Sequence, residues 1–498
     1  MVFAGRKPST REPIFLSSLV AILVVCVLIV LLQGGSEDDV CDIGGIPAIN
    51  AWKFFTKRYD FIQNGFQKSG GRIFRFKVLQ HRVIAMAGEA SRKAFFNEPG
   101  LSFLEGYKIL LGGAPESKDI TLTEGEIQSN VEEADFVKRL SSLIRRDRIE
   151  AALPFLLEDL DKRLKNDWGR QCQIDPFKHG REAVFQMTIR MATCQELAED
   201  RKSIDQLMEY YSVLEKSATP VSLLLPWFPG PAKKAREKAT TALFTLLFKF
   251  VKLRRQAPEP STDAIDLLIG QGHEDQSVAG TIMRILFAGV TTTSVIFSWI
   301  LLRLASNPQW KHKAIEDYKT LLSHHGDLPS ELPLHKRLAV IPLGAWEDQL
   351  PSVELVLKET LRLTSAGSII RRNVQHDITV DRVVVKRGDF LTYQVADAHL
   401  NPEIYSNPLE FDPERFVKGR VEDRKQAFAF IGWGAGRHPC IGMRMAKLEI
   451  KLLLALVLLG YEYGVVDGSG SFPKDLPLPD KNDNNQASLP FQRMYSPS

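Results

Sequence analysis

A glycine-rich segment around one cysteine constrains the fold of this chain more than any other feature. Four glycines lie in the segment from Phe428 to Gly442 and surround Cys440, and an apolar run from Met445 to Leu459 begins just beyond them. Glycines at this density let the backbone approach something large and flat. A cysteine just before a helix is favoured as a thiolate by backbone N–H groups. The segment therefore predicts a ligand of haem iron, with a buried structural thiol as the alternative.

A second motif predicts an internal ion pair. Glu359 and Arg362 are three residues apart, so they lie on one helix face and their side chains can pair. The neighbouring positions are apolar, which indicates that the pair is buried. A buried pair needs additional hydrogen-bond partners, because each charge has lost its water.

A long apolar helix with a polar centre is predicted from about Ser277 to Ala305, where an Asn-Pro pair ends it. Its middle segment, Leu286–Ser294, contains one glycine and three consecutive threonines. Glycine removes side-chain bulk, and a threonine hydroxyl can bond the carbonyl one turn earlier and bend the helix. The segment is either a groove that receives a ligand or part of a threonine-rich core helix.

Together these segments resemble the cytochrome P450 family over most of residues 46–465. The family's cysteine loop has an aromatic residue, then a glycine, a basic neighbourhood, the cysteine and a final glycine. Tryptophan replaces the usual phenylalanine here, and Arg-His precedes the ligand as in the family's sterol demethylases. The matching residues are Trp433, Gly436, Arg437, His438, Cys440 and Gly442. The resemblance implies a mainly α fold with a small β part, in which a long central helix lies over haem b and the cysteine-ligand loop lies beneath it.

The resemblance assigns catalytic roles to three residues of the long helix. Gly289 opens the groove that holds dioxygen, and Thr292 occupies the position of the oxygen-activating threonine. Thr291 occupies the position of the family's acid, and a hydroxyl there cannot shuttle a proton as a carboxylic acid does. Sterol demethylases also lack the acid, so the resemblance does not exclude activity.

The resemblance also assigns structural and cofactor-binding residues. Arg415, in the segment Phe411–Phe416, joins Glu359 and Arg362 as a structural triad beneath the haem loop. Buried propionates require cations or hydrogen-bond donors, and Arg372 and His438 are the first choices. Arg371 can substitute for Arg372, and a solvated basic pair is the alternative. The remaining cofactor-binding candidates are Arg437, Tyr107, Gly434 and Gly442.

The N-terminus contains a candidate membrane span. Residues 14–32 carry no charge and no proline, and that length is enough to cross a bilayer. A cleaved signal peptide is the competing interpretation. Basic residues precede the span and acidic residues follow it, which by the positive-inside rule would place the catalytic domain in the lumen. The family expectation is the opposite, and we adopt it: a single-pass anchor in the endoplasmic reticulum membrane with the catalytic domain in the cytosol.

Composition sets wider limits. The 498 residues are 44% hydrophobic and 25% charged, which excludes a disordered or collagen-like chain. A net charge of +4 does not suggest nucleic acid as a partner. The five cysteines are scattered, which argues against a disulfide framework and suits a reducing compartment. The predicted organisation is a membrane anchor at 1–33, a linker at 34–50 and one haem-thiolate catalytic domain at 51–498.

The resulting prediction is a membrane-bound haem-thiolate monooxygenase that oxidises a terpenoid, a sterol or another hydrophobic secondary metabolite. The chain has no Gly-x-Gly-x-x-Gly dinucleotide loop, so electrons are expected from NADPH through the family's NADPH-cytochrome P450 reductase. Membrane lipid is the other expected partner. One alternative is a haem-thiolate isomerase or dehydratase that needs no dioxygen. Another is a membrane protein that binds haem without catalysis.

Overall fold

The computed structural model describes residues 40–103, 105–106, 129–168, 173–217, 219, 230–326, 328–380, 383–466, 471, 478–483 and 493–495. Within these ranges the chain is mainly helical with a small β part, and the predicted fold class is confirmed to that extent. The predicted membrane anchor and Tyr107 lie outside the described residues.

Helices form most of the described structure. In chain order they are α1 Pro47–Thr56, α2 Arg58–Ser69, α3 Glu89–Asn97, α4 Ser129–Leu143, α5 Arg146–Asp167, α6 Pro176–Ala192, α7 Gln195–Glu199, α8 Arg201–Ser217, α9 Pro231–Arg255, α10 Ala264–Gly270, α11 Asp275–Ser306, α12 Pro308–His325, α13 Leu334–Ala339, α14 Leu343–Asp348, α15 Pro351–Thr364, α16 Ala396–His399 and α17 Met443–Gly460. Short 3-10 turns occupy Pro413–Phe416 and Glu422–Arg424.

The strands are short and form several small sheets. In chain order they are β1 Cys41–Asp42, β2 Ile73–Val78, β3 His81–Met86, β4 Leu101–Ser102, β5 Gln173–Ile174, β6 Ser368–Asn373, β7 Ile378–Val380, β8 Val383–Val385, β9 Phe390–Gln394, β10 Gly434–Ala435, β11 His438–Pro439, β12 Gly464–Val466 and β13 Arg493–Tyr495. The largest sheet has the order β1-β2-β3-β9-β6-β4. Apolar and polar residues alternate over residues 72–85, and this pattern accounts for the antiparallel pair β2–β3. Part of the predicted linker, residues 40–50, contributes β1 to this sheet and begins α1.

Helix α11 is the centre of the helical part. It spans 32 residues, which confirms the predicted long helix and extends it by a residue or two at each end. Its apolar side chains are buried on nearly every side between Val295 and Leu304, because α6, α15 and α17 pack around it. A helix that is apolar all round is stable only when it is enclosed in this way.

The same helix is long and apolar enough to cross a membrane when judged by length and composition alone. However, 72% of its most apolar window is buried inside the protein. Helix α11 is therefore assigned to the core of the catalytic domain.

Helix α17 carries a buried carboxyl group. Glu449 is 4% exposed, and burial raises its pKa from 4.5 to about 8, an effect that the hydroxyl of Thr188 on α6 partly opposes. The folded protein therefore holds this proton more tightly than the unfolded chain does. The stability that the protonated group contributes is fully present below pH 4.5 and is lost as the pH rises through about 8.

We expect Glu449 by itself to make the free energy of unfolding fall with rising pH, by roughly 1 kcal/mol per pH unit across this window. In Glu449→Gln this slope is expected to shrink, since the amide stays neutral, and the variant should be the more stable protein at pH 8. Urea unfolding at several pH values measures both the pH dependence of the free energy of unfolding and the difference between the two proteins at pH 8. The matched control is Glu403→Gln at an exposed position. Equal slopes in wild type and Glu449→Gln would contradict the prediction.

Candidate haem-thiolate site

The cysteine loop is a tight hairpin that glycine makes possible. Strands β10 and β11 pair in antiparallel fashion, and the Cys440 N–H donates to the Trp433 carbonyl at 2.7 Å. Gly434 has φ +73°, and a Cβ atom there would lie 2.4 Å from the carbonyl oxygen of His438. A side chain at Gly434 would therefore be strained and would push the loop open.

A second glycine holds the loop against helix α3. Gly436 has φ +58°, and a Cβ atom there would lie 2.3 Å from the carbonyl oxygen of Phe96. The same carbonyl accepts the Arg437 N–H at 3.0 Å. The close approach of two backbones thus sets the position of the loop, while the Arg437 residue as a whole is exposed.

Cys440 is exposed, although protein surrounds much of it. It lies three residues before α17, and burial raises the pKa of its thiol while the Gly442 N–H opposes that shift. The expected lowering of the thiol pKa by a backbone N–H is therefore present, but desolvation raises the pKa by more. Coordination to a metal would deprotonate the thiol outright. Because Cys440 is exposed, a ligand can reach this residue, and the Gly442 N–H is a hydrogen-bond donor beside its sulfur.

The structure brings the three triad residues together. Glu359, Arg362 and Arg415 are each 0% exposed. Glu359 accepts two hydrogen bonds of 2.8 Å from Arg362 and one of 3.0 Å from Arg415. It also accepts the Asp412 N–H at 3.0 Å. A buried charge with several partners of this kind is strongly tied to its surroundings.

The remaining donors of the triad bind backbone carbonyls and a second carboxylate. Arg362 donates to the carbonyls of His399 at 2.6 Å and Pro408 at 2.7 Å, and Arg415 donates to Glu422 at 2.8 Å. Helix α15, the turn at Pro413–Phe416 and the segment around residue 408 are therefore linked by one polar network. Such a network sets how these elements pack.

His399 connects this network to the cysteine loop, and the sequence analysis did not identify it. Its Nδ1 donates to the Ser365 carbonyl at 3.0 Å, and its Nε2 accepts the Ile431 N–H at 2.9 Å. Burial first, and then the Arg362 charge, lower its pKa to about 3. The ring is therefore neutral, which the accepting Nε2 requires. A lone histidine without a motif carries no sequence signal for this role.

Two of the predicted catalytic residues, Gly289 and Thr292, lie on an open face of α11, whereas Thr291 is half-buried against α8. Ala288 and Thr292 are exposed although their neighbours Val290 and Thr293 are buried. A Cβ atom at Gly289 would meet nothing within 4 Å. The Thr292 hydroxyl donates to the Ala288 carbonyl at 3.3 Å, which is the predicted back-bond to the preceding turn. The central helix thus presents small and hydroxyl-bearing residues to open space in mid-helix.

The two adjacent arginines of β6 have different environments. Arg372 pairs with Glu105 at 3.2 Å and keeps 29% of its side chain exposed. Arg371 is 2% exposed, with its guanidinium 4.9 Å from the ring centre of Phe95 and 5.4 Å from that of Phe96. Phe96 is the residue whose carbonyl contacts the cysteine loop. Arg371, the predicted substitute for Arg372, is therefore the arginine buried beside that loop.

Comparisons with known proteins agree with this geometry. The family model described as Cytochrome P450 matches residues 45–481. The chain is 29% identical over 434 residues to the cytochrome P450 monooxygenase AacuE of Aspergillus aculeatus, covering 85% of this chain and 86% of the relative. It is 25% identical over 411 residues to obtusifoliol 14-alpha demethylase of Triticum aestivum, covering 80% and 86%. A solved structure, retinoic acid bound cyanobacterial CYP120A1, matches with a TM-score of 0.71 at 22% identity, over 93% of this chain and 100% of that one.

The site and the fold define a haem-thiolate protein, and the chain belongs to the cytochrome P450 family. It is an enzyme of the P450 monooxygenase type. The family and fold imply haem b with a cysteine thiolate as the iron ligand, and they also imply a redox partner and a hydrophobic substrate.

The described residues fit that cofactor. Cys440 presents an accessible sulfur in a loop whose glycines keep side chains away from it. Arg371 provides a buried cation beside the same loop, which suits a carboxylate of a planar ligand. In the described part of the chain, the exposed residues of this helix face, Ala288 and Thr292, have small side chains.

Proposed function

We propose that this chain is a membrane-bound monooxygenase in which Cys440 is the axial ligand of haem b. The proposed substrate is a terpenoid, a sterol or another hydrophobic secondary metabolite, and the electrons come from NADPH through a cytochrome P450 reductase. The accessible Cys440 sulfur in its glycine-rich hairpin is the observation that carries the proposal.

Each set of residues has a defined part in this mechanism. Bound haem supplies the activation of dioxygen and the oxidation of a C–H bond. Cys440 would hold the haem iron through its sulfur, and Arg371 and His438 would hold the propionates, while Arg372 is directed instead to Glu105. The triad Glu359, Arg362 and Arg415 keeps the loop and α15 in place. Gly289 would leave room for dioxygen, and Thr292, whose hydroxyl donates to the Ala288 carbonyl, would offer its oxygen there as a hydrogen-bond acceptor.

The proposed location is the endoplasmic reticulum membrane, with residues 1–33 as a single-pass anchor and the catalytic domain in the cytosol. Ile46, Ile49 and Trp52 support contact with lipid, because each is 49% exposed and all lie at or near the start of α1. Apolar side chains at this spacing share one helix face, which can enter the membrane interface beside the anchor.

The test uses the full chain in microsomes with a P450 reductase. Lanosterol, testosterone and farnesol are expected to change the haem spin state, and lauric acid is the comparison compound. Product is expected only when NADPH and dioxygen are both present. Spin-state changes with lauric acid alone would contradict the proposed substrate class. Product without NADPH would instead indicate an isomerase or dehydratase, for which the hydroxyl of Thr291 in the acid position is the supporting feature.

A further inference from the structure

Side chains from two other helices converge on Thr291, the residue in the acid position of α11. The Thr291 hydroxyl donates to the carboxylate of Glu215, and the hydroxyl of Tyr211 lies 2.6 Å from the same Thr291 oxygen. Both partners belong to α8. From α6, Arg181 Nη1 lies 2.7 Å from the other carboxylate oxygen of Glu215. The central helix has no carboxylate of its own in the acid position, but the residue there is hydrogen-bonded to a carboxylate of another helix.

These groups form a series of contacts from the protein surface to Thr291 on α11. The side chain of Arg181 is 22% exposed and that of Glu215 is 12% exposed, so the ion pair lies at the boundary with solvent. Thr291 is half-buried behind it. The next residue in the chain is Thr292, which is exposed on the face that the small residues leave open. Exchangeable protons are therefore present at each stage from the solvent boundary to Thr291, which directly precedes the exposed Thr292.

We propose that Glu215 supplies, through Thr291, the carboxylate for proton delivery that the central helix lacks. Glu215 is a positioning residue in this sense, because it acts through the Thr291 hydroxyl rather than on the reacting atoms. The inference rests on the proposed function, since only the oxygen-consuming reaction needs protons at this place.

The transfer balances within the observed contacts. At rest Tyr211 donates to Thr291, and Thr291 donates to the Glu215 carboxylate. When Glu215 takes a proton from solvent, its hydrogen bond to Thr291 reverses and the carboxyl group becomes the donor. Thr291 is only half-buried, so a water molecule beside it can accept its hydroxyl proton while the carboxyl proton of Glu215 replaces that proton on the Thr291 oxygen. Glu215 returns to the carboxylate form, and the net result is one proton carried inward.

The competing explanation is that Glu215 only holds α8 against α6 and α11. Two functional measurements separate the explanations. Glu215→Gln keeps a hydrogen-bonding side chain but cannot carry the proton, and Thr291→Val keeps the shape but has no hydroxyl. Asp205→Asn is the matched control, because Asp205 is another carboxylate of α8 and pairs with Arg201 at 3.0 Å.

The reaction is run with NADPH and whichever of lanosterol, testosterone and farnesol gives the largest spin-state change. Glu215→Gln and Thr291→Val are each expected to lower product formation by about 100-fold. Their double variant is expected to show about the same loss, because both residues act in one path. Hydrogen peroxide already carries its protons, so peroxide-driven product formation should stay within about twofold of the wild type. Asp205→Asn should match the wild type in both reactions.

A second readout needs neither substrate nor reductase. On acidification of the resting protein, infrared spectroscopy detects protonated carboxyl groups. The carboxyl band of Glu215 is identified by its absence from the spectrum of Glu215→Gln. The frequency of this band is expected to shift in Thr291→Val and to stay unchanged in Asp205→Asn. An unshifted band in Thr291→Val would overturn the proposed contact.

Equal losses in the NADPH-driven and peroxide-driven reactions would assign Glu215 a structural role and overturn the inference. A fully active Glu215→Gln would do the same while the proposed function stands. A wild type that forms no product with NADPH would instead remove the proposed function, and the inference with it.

Discussion

Replacing Cys440 with serine is expected to abolish the red-shifted Soret band that thiolate-ligated haem shows with carbon monoxide after reduction. The hydroxyl group offers no thiolate to the iron, so the electronic effect of the sulfur is lost. Mutation of a residue that only hydrogen-bonds a metal ligand typically lowers metal affinity or activity by about 10- to 100-fold. Loss of the ligand itself should therefore lower NADPH-dependent product formation by more than about 100-fold. Dithionite-reduced microsomes measured with and without carbon monoxide provide the spectrum.

Two other cysteines serve as controls for this variant. Cys41 is exposed on β1 and Cys194 is buried, and both lie outside the hairpin that precedes Cys440. Cys41→Ser is expected to keep the band and the activity. Cys194→Ser should keep the band even where the altered packing lowers stability. A Cys440→Ser protein that retained the red-shifted band would show that another group ligates the iron.

Replacing Glu359 with glutamine is expected to lower the free energy of unfolding by about 3–5 kcal/mol, because it leaves Arg362 and Arg415 buried without their shared counter-charge. The amide can accept fewer hydrogen bonds than the carboxylate, and both guanidinium groups are 0% exposed. The cysteine loop depends on the same network through His399. Urea unfolding of the purified protein measures the stability, and the amount of bound haem reports on the loop.

The matched control is Glu150→Gln on α5. The side chain of Glu150 is 45% exposed and pairs with Arg146 at 2.8 Å. Exposed pairs are worth roughly 0–1 kcal/mol, so the loss should be much smaller there. Similar losses in the two variants would mean that the triad contributes no more than a surface pair, contrary to the burial that the structure shows.

The sequence determined the features that depend on local pattern and on one residue type. The long central helix was predictable because its mostly apolar segment contains no proline and an Asn-Pro pair ends it. The short strands near residue 73 and after residue 378 were predictable because their side chains alternate or because turn residues separate them. The cysteine loop was predictable because few other structures require so many glycines around one sulfur.

Only the tertiary structure decided which distant side chains meet. It buried Arg371 and left Arg372 paired with Glu105, although the two are adjacent in the chain. It placed His399 between the triad and the loop, and it joined Glu215 to Thr291 across 76 positions of sequence. The physical reason is that hydropathy patterns specify which face of an element is buried. The contacts of a polar group depend on how whole elements pack against one another.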